Sequence, residues 1–255
     1  MSEARKAILG RMRRALGRQP VDRNHSASQD HSSDDQARRA VEARIEQSRP
    51  ALIPARADLD LEARIDLFTQ QAEAVQATVA RISTLADLPD AVGGYLRRHN
   101  LPMRLASACD PAITGAPWDK ALWEIRFGKP GEDDAVGLTT AFAGIAETGT
   151  LMLASDADHP TTLAFLPETS IIVLPSAEVY RAYEDAMRGF RQDRALPRSI
   201  NLITGPSRSG DIEQTLQLGA HGPKRLLALL VDEVGPDQVQ EIEGPSSDAA
   251  SHQQR

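Results

Sequence analysis

The sequence predicts an α/β protein with a mostly parallel sheet and flanking helices. From about Ala77 onward, short runs of β-forming residues alternate with helical patterns, as in parallel strands joined by crossover helices. At 255 residues the chain is also long enough for one large α/β domain with a sizeable core. The elements below follow in chain order.

Residues 1–18 predict a basic amphipathic helix, because Ile8, Met12 and Leu16 recur at helical spacing and arginines occupy the other face. Residues 19–35 have almost no apolar side chains and predict a flexible linker. The helix is therefore expected to be a detached arm. It either docks on an acidic partner or an anionic membrane face, or is simply a solvated basic face.

Residues 36–233 are predicted to form the α/β domain. Two helices, one around Val41 and one around Phe68, are expected to pack on the sheet, and two more are predicted over 88–99 and 177–190, the last with Ser176 as its N-cap. Residues 234–255 are polar, acidic and rich in Gly, Pro, Ser and Gln, and predict a disordered tail. The predicted strands are 78–83, 103–108, 122–127, 150–155, 170–175, 200–205 and 226–231.

Charge and composition exclude several classes of function. The 29 basic and 36 acidic side chains give a formal charge of −7, which argues against a general nucleic-acid binder. No apolar run approaches the length of about 20 residues that a transmembrane helix needs. The single cysteine, Cys109, excludes an internal disulfide and a four-cysteine zinc or iron–sulfur site, and fits a reducing compartment, the cytoplasm.

The segment GIAETGT is the first candidate site. Gly144 and Gly149 permit a close approach of the backbone, and Thr148 and Thr150 supply hydroxyl groups. Glu147 supplies a charge that a buried site must pair. It is either a catalytic carboxylate or a structural one that holds a neighbouring loop through amide hydrogen bonds.

The segment GPSRSGDIE is the second candidate. It follows a predicted strand and leads into a predicted helix, so Gly205, Ser207, Arg208 and Ser209 are expected to cradle a phosphate or carboxylate at a helix N-terminus. The alternative is that Arg208 only neutralises the acidic residues that follow. Walker and GxGxxG motifs are missing from the sequence, so ATP and NAD are unsupported.

Two histidines in loops complete the candidate residues. His159 lies in DADHPTTLAFLPE and His221 in GAHGP, and each is either free to titrate and bind or serves as a surface or capping residue. Their separation matches no metal-ligand spacing, so no metal site is predicted. A lone thiol is more often a small core residue than a nucleophile, and Cys109 is left out of the predicted site.

Taken together, the motifs FAGIAETGTL, HPTTLAFLPET, LITGPSRSGDIE and LGAHGP resemble the LUD-domain family, and within it the lactate utilisation protein C (LutC/YkgG) group. The resemblance spans about Leu59 to Asp232, and the opening helix is similar as well. It implies a fold like that of the ribose-phosphate isomerase, glucosamine-phosphate deaminase and CoA-transferase superfamily (NagB/RpiA/CoA-transferase-like). It also implies a role in bacterial oxidation of L-lactate to pyruvate with iron–sulfur partner proteins.

The resulting expectation is a subunit of a lactate-oxidising complex that binds a small carboxylate. Glu147 and His221 are the proton-handling candidates, and Arg208 with its loop is the carboxylate-binding candidate. No cofactor is expected on this chain, and iron–sulfur clusters are expected in its partners. The alternative is a stand-alone isomerase or acyl/CoA transferase of the same superfold. Both interpretations expect Glu147 to face Arg208 across one pocket.

Overall fold

The computed structural model describes residues 11, 30–46, 54–193, 196–210 and 216–233. Apart from Arg11, which is helical, the predicted N-terminal helix lies outside the described residues, and so does the predicted tail over 234–255. The chain divides into two compact units, residues 1–50 and 51–255. Among the described residues, no helix is long and apolar enough to cross a membrane.

In the first unit, helix α1 spans Asp30–Glu46. The predicted linker over 19–35 is therefore wrong for its last six residues. Their sequence, DHSSDD, is rich in Asp and Ser, residue types that are common at the start of a helix. The prediction that this helix buries its apolar side is also wrong, because Val41 is 53% exposed.

The second unit is organised around a six-stranded, all-parallel sheet, which confirms the predicted α/β class. Its strand order is β1-β12-β7-β4-β2-β3. The strands are β1 (Thr78–Thr84), β2 (Arg104–Ser107), β3 (Glu124–Phe127), β4 (Val136–Thr140), β7 (Thr169–Pro175) and β12 (Arg225–Glu233).

Strand β4 lies in the middle of this sheet and was not predicted. Its sequence, VGLTT, contains Gly137, and glycine usually weakens a strand pattern. Here glycine is required, because a Cβ atom on Gly137 would lie 2.2 Å from the carbonyl oxygen of Leu163. Gly137 thus makes room for the chain that passes over the sheet, although the same glycine made β4 hard to recognise from the sequence.

A second sheet has four strands in the order β8-β5-β6-β9. Strands β5 and β6 form an antiparallel hairpin, and β9 is antiparallel to β6. The expectation that the strands near 150–155 and 200–205 join the parallel sheet is therefore wrong. The members are β5 (Ala143–Ile145), β6 (Thr150–Ala154), β8 (Val179–Tyr180) and β9 (Ile200–Ile203).

Four helices accompany the sheets in the described part of the second unit, and two predictions about helices are wrong. Helix α5 begins at residue 183 rather than 177, because Val179 and Tyr180 pair with β5 as a strand. In the described residues around the GPSRSG segment, β10 (Arg208–Gly210) pairs with β11 (Leu216–Leu218), so Leu216 lies in a strand and not in the predicted helix. The helices are α2 (Leu61–Ala74), α3 (Leu88–Arg98), α4 (Pro111–Thr114) and α5 (Tyr183–Asp193).

Apolar side chains bury both faces of the parallel sheet. On one face, Leu88, Val92 and Leu96 of α3 pack against the sheet. On the other, Ile65 and Phe68 of α2 pack together with side chains from the second sheet. Each fully buried aliphatic or aromatic side chain contributes about 1.5–3 kcal/mol. The second sheet is covered in turn by α5, so its hairpin is fixed from both sides.

Candidate functional site

The carboxyl ends of the parallel strands share one edge, which is where open α/β sheets usually bind ligands. Strands β2 and β4 are neighbours there. Beyond β2 the chain reaches Cys109 and Asp110, and β4 ends at Thr140. The loop that follows β6 crosses the same edge, where the backbone nitrogen of Cys109 donates to the carbonyl oxygen of Asp158 at 3.1 Å. Three distant parts of the sequence therefore meet.

Asp110 is held at this edge by three hydrogen bonds. It is the N-cap of α4, and its Oδ1 accepts from the backbone nitrogen of Ala112 at 2.7 Å. Its Oδ2 accepts from Thr140 Oγ1 at 2.8 Å and lies 2.8 Å from His159 Nε2. Both carboxylate oxygens are engaged, so the position and orientation of Asp110 are fixed.

His159 lies between two carboxylates. Its Nε2 faces Asp110, and its Nδ1 lies 2.7 Å from Asp156 Oδ1. Because a neutral imidazole has only one N–H group, donation to both carboxylates requires the protonated ring. We refer to Asp110, Thr140, Asp156 and His159 as the carboxyl-edge cluster.

The pKa values of the cluster follow from these contacts. The hydrogen bond to Asp110, with a further one to Asp156, raises the pKa of His159 although burial opposes the charge. Burial by itself raises the pKa of Asp110, but hydrogen bonds from His159, Thr140 and the Ala112 amide outweigh it, and the net shift is downward. The pKa of Asp156 is lowered in the same way, chiefly by His159. The contacts therefore favour the charged forms of all three groups.

The rest of the carboxyl edge is occupied by structural ion pairs. Arg81 of β1 donates to Asp232 at 2.7 Å and also pairs with Glu62 of α2. Ser176, after β7, donates to Asp232 at 2.8 Å. These contacts hold Arg81 between two carboxylates and join β1, β12 and β7, so the carboxyl-edge cluster is the better candidate for proton transfer.

The predicted GIAETGT site forms the turn of the β5–β6 hairpin. Gly149 has φ +64°, and a Cβ atom there would lie 2.2 Å from the backbone nitrogen of Ala72 in α2. A Cβ atom on Gly144 would lie 2.6 Å from Leu174 Cδ2 and 3.2 Å from Phe68 Cε2. Both glycines thus allow close packing. The nearest cation to Glu147 in the described ranges is Arg56, whose Nη2 lies 3.9 Å from Oε1.

Four hydroxyl groups meet beside this turn. Thr150 Oγ1 lies 2.7 Å from Thr148 Oγ1, 3.0 Å from the Tyr183 hydroxyl and 2.7 Å from Thr204 Oγ1. Tyr183 also contacts Thr148 at 3.0 Å. Four O–H donors can supply these four contacts among themselves. The hydroxyl cluster therefore joins the hairpin to α5 and to the chain that follows β9.

Arg208 differs from its predicted role. It lies in strand β10, which pairs with β11, and residues 211–215, where the predicted helix would begin, lie outside the described residues. Its Nη2 donates to the carbonyl oxygen of Val75 at 2.9 Å, at the end of α2. Gly205 packs on the same residue, since a Cβ atom there would lie 2.6 Å from that oxygen. Ser209 pairs across the hairpin with Gln217.

The loop that contains His221 contacts Ser207 through its backbone. The nitrogen of Ser207 donates to Pro223 at 2.8 Å, and Gly219 donates back to Ser207 at 3.0 Å. This loop precedes β12, at the amino edge of the parallel sheet. His159 lies at the opposite edge, so the structure separates the two histidines.

Glu147 and Arg208 have different partners and form no ion pair with each other. A groove of about 470 Å³ lies elsewhere, near Met103 and Trp123 at the amino ends of β2 and β3. Within the part of the chain that the structure describes, no group of three or more His, Cys, Asp or Glu side chains is arranged to hold a metal ion. Cys109 is exposed, which differs from the predicted core role.

The sequence analysis singled out His159 but missed Asp110, Asp156 and Thr140. A signal for Asp110 was present in SACDP, where an aspartate before proline follows a strand and can cap a helix. No local signal joins it to His159, because the two are 49 residues apart.

Comparison with known proteins agrees with this architecture. Residues 131–231 match the LUD domain. An uncharacterized protein of Neisseria meningitidis, NMB1437, is 38% identical over 108 residues, which cover 41% of this chain and 46% of that protein. Lactate utilization protein C of Bacillus subtilis is 37% identical over 120 residues, covering 46% and 50%. The chain thus spans about half the length of these relatives.

A longer alignment is found with the uncharacterized protein YkgG of Escherichia coli, which is 28% identical over 176 residues. These residues cover 65% of this chain and 72% of that protein. The crystal structure of a DUF162 family protein from Deinococcus radiodurans has the same fold, with a TM-score of 0.52 and 18% identity over 68% of this chain and 99% of that one. Residues 131–231 are therefore similar to the LUD domain, and the chain is similar to the proteins named Lactate utilization protein C and YkgG.

Proposed function

We propose that this chain is a subunit of an L-lactate utilisation system and acts with iron–sulfur partner proteins in the oxidation of lactate to pyruvate. The relatives named Lactate utilization protein C support this assignment. The observation that carries it is the pairing of His159 with Asp110 at the carboxyl edge of the sheet, at 2.8 Å. A histidine oriented by a buried carboxylate is a common proton-transfer group.

Oxidation of lactate to pyruvate removes two electrons and two protons. The single cysteine leaves this chain without the thiolates of a four-cysteine cluster, so the electrons would pass to the iron–sulfur partners. The C2 hydrogen would leave with these electrons to the partner proteins, and the share of this chain would be to accept the hydroxyl proton of lactate. When the ring is neutral, with its one N–H at Nε2 facing Asp110, His159 would accept this proton at Nδ1, and Asp110 would fix the tautomer and the ring orientation.

Growth on L-lactate tests this proposal in a bacterial strain whose own homologue has been deleted. We expect His159→Gln and Asp110→Asn to abolish growth, because neither leaves a titratable histidine oriented by a carboxylate. Asp158→Asn is the matched control, since that exposed side chain lies in the same loop outside the cluster. Normal growth with His159→Gln, at wild-type protein levels, would contradict the proposal.

The second candidate location comprises Glu147 with its threonines, and Arg208 with Ser207 and His221. The Glu147 side chain is only 18% exposed, and among the described residues its ion-pair partner is Arg56 at 3.9 Å, which favours a role beyond structure. Glu147→Gln and Arg208→Ala, tested in the same strain, separate the two locations. Loss of growth with these variants but not with His159→Gln would move the site to the hairpin turn.

The stand-alone isomerase or acyl/CoA transferase remains the alternative activity. Purified protein incubated with a CoA thioester or a sugar phosphate distinguishes the two. We expect no turnover without the partner proteins. Steady turnover by the chain alone would overturn the partner-dependent role.

A further inference from the structure

We propose that Asp156 is a gate for an anionic ligand: its carboxylate covers Nδ1 of His159, and the C2 oxygen of a small 2-oxo or 2-hydroxy acid takes its place. The choice of acid rests on the proposed function. The gate itself rests on the geometry of the carboxyl-edge cluster, in which the two carboxylates that contact His159 are held very differently.

The inner carboxylate is fixed by several elements. Asp110 is bonded to the start of α4 and the end of β4 as well as to His159, and its side chain is 19% exposed. Moving it would break three hydrogen bonds and uncap a helix. Asp110 is therefore a permanent partner of Nε2.

The contacts of the outer carboxylate in the described ranges all come from its own loop. Asp156 Oδ1 accepts from the backbone nitrogens of Asp158 and His159, at 2.9 and 2.8 Å, and from His159 Nδ1. Its side chain is 48% exposed, so it can turn into solvent without disturbing either sheet. Rotation about its side-chain torsions would uncover Nδ1 while the ring stays on Asp110.

Charge explains why such a gate would regulate binding. With His159 protonated, the cluster carries one positive and two negative charges, a net charge that repels an anion. A 2-oxo acid could accept the Nδ1 proton with its C2 oxygen, but its carboxylate would then approach Asp156. Removing the charge of Asp156 should therefore strengthen binding.

The experiment measures pyruvate binding to the full-length protein by isothermal titration calorimetry at pH 6.0 and constant ionic strength. At this pH the raised pKa keeps His159 protonated in wild type. Asp156→Asn retains an oxygen that can accept from the two backbone nitrogens but lacks the charge. We expect its Kd for pyruvate to be about tenfold lower than that of wild type, the effect of one nearby charge in a half-exposed site.

Three controls make the result specific. Asp158→Asn makes the same charge change two residues away and should alter the Kd less than twofold, whereas His159→Gln should abolish binding. Propionate, which lacks the C2 oxygen, should bind Asp156→Asn at least tenfold more weakly than pyruvate. Unchanged or weaker pyruvate binding by Asp156→Asn would overturn the gate, and so would equal gains in both asparagine variants.

Failure of the gate and failure of the proposed function give different results. If Asp156→Asn binds pyruvate more tightly but His159→Gln still supports growth on lactate, the gate stands and the lactate role fails. If His159→Gln abolishes growth but Asp156→Asn binds no better than wild type, the lactate role stands and the gate fails.

Discussion

At the scale of single residues, His159 owes its charge to two carboxylates that come from different parts of the chain. Its raised pKa means that the folded protein holds the proton more tightly than the unfolded chain does. The stabilisation is fully present below the unfolded pKa of His and is lost as pH rises through the folded pKa. For Asp110, whose pKa is lowered, the stabilisation is lost as pH falls through its folded pKa.

The raised pKa of His159 leads to a prediction about the stability of the folded protein. The difference in free energy of unfolding between wild type and His159→Gln should be largest near pH 5.5 and should shrink as pH rises through the folded pKa of His159. Urea unfolding at pH values from 5.5 to 9 measures it. A difference that is constant across this range would show that His159 folds without binding an extra proton.

The hydroxyl cluster leads to a second prediction. Tyr183→Phe removes a hydroxyl that contacts both Thr148 and Thr150, and should lower the free energy of unfolding by about 1–2 kcal/mol. Thr204→Val removes one contact and keeps the side-chain volume, so its cost should be smaller. Equal costs in chemical denaturation would indicate that the cluster does not act as a connected network.

Residue types alone were enough to select His159, because a histidine in a loop after a strand is a recognisable candidate. They could not select its partners. The link from Asp110 to His159 depends on β2 lying beside β4 and on the hairpin returning the chain to that edge. Such adjacency depends on the tertiary fold and has no local sequence pattern.

At the scale of elements, the hairpin β5–β6 is the feature that the sequence pattern concealed. Its strands are short, and GIAETGT reads as a ligand-binding loop as easily as a turn. Most strands of the parallel sheet were predictable, because β-branched and leucine-rich runs such as SIIVLP are typical of buried strands. The sheet to which each strand belongs was not predictable, because buried strands of the two sheets have the same composition.

Packing of this hairpin on α2 leads to a third prediction. Gly149→Ala places a Cβ atom against the backbone of Ala72 at positive φ, and should destabilise the protein by about 2–4 kcal/mol. Gly94→Ala, in helix α3 with open space around it, is the matched control and should be neutral or stabilising by about 0.5–1 kcal/mol. Thermal unfolding that ranks the two variants in the opposite order would contradict the described packing.

At the scale of the whole molecule, the parallel sheet separates the candidate residues into two groups. Asp110, Thr140 and His159 lie at its carboxyl edge, whereas His221 precedes a strand at its amino edge. The α/β class was predictable from the alternation of elements, but the side on which each loop emerges depends on strand direction. The central claim is that ligand chemistry takes place at the carboxyl edge.

The most direct measurement is a crystal structure of the protein soaked with pyruvate. We expect ligand density with the C2 oxygen within hydrogen-bonding distance of His159 Nδ1, and the Asp156 side chain turned away from the ring. Density beside Arg208 or Glu147, with the carboxyl-edge cluster unchanged, would contradict the account.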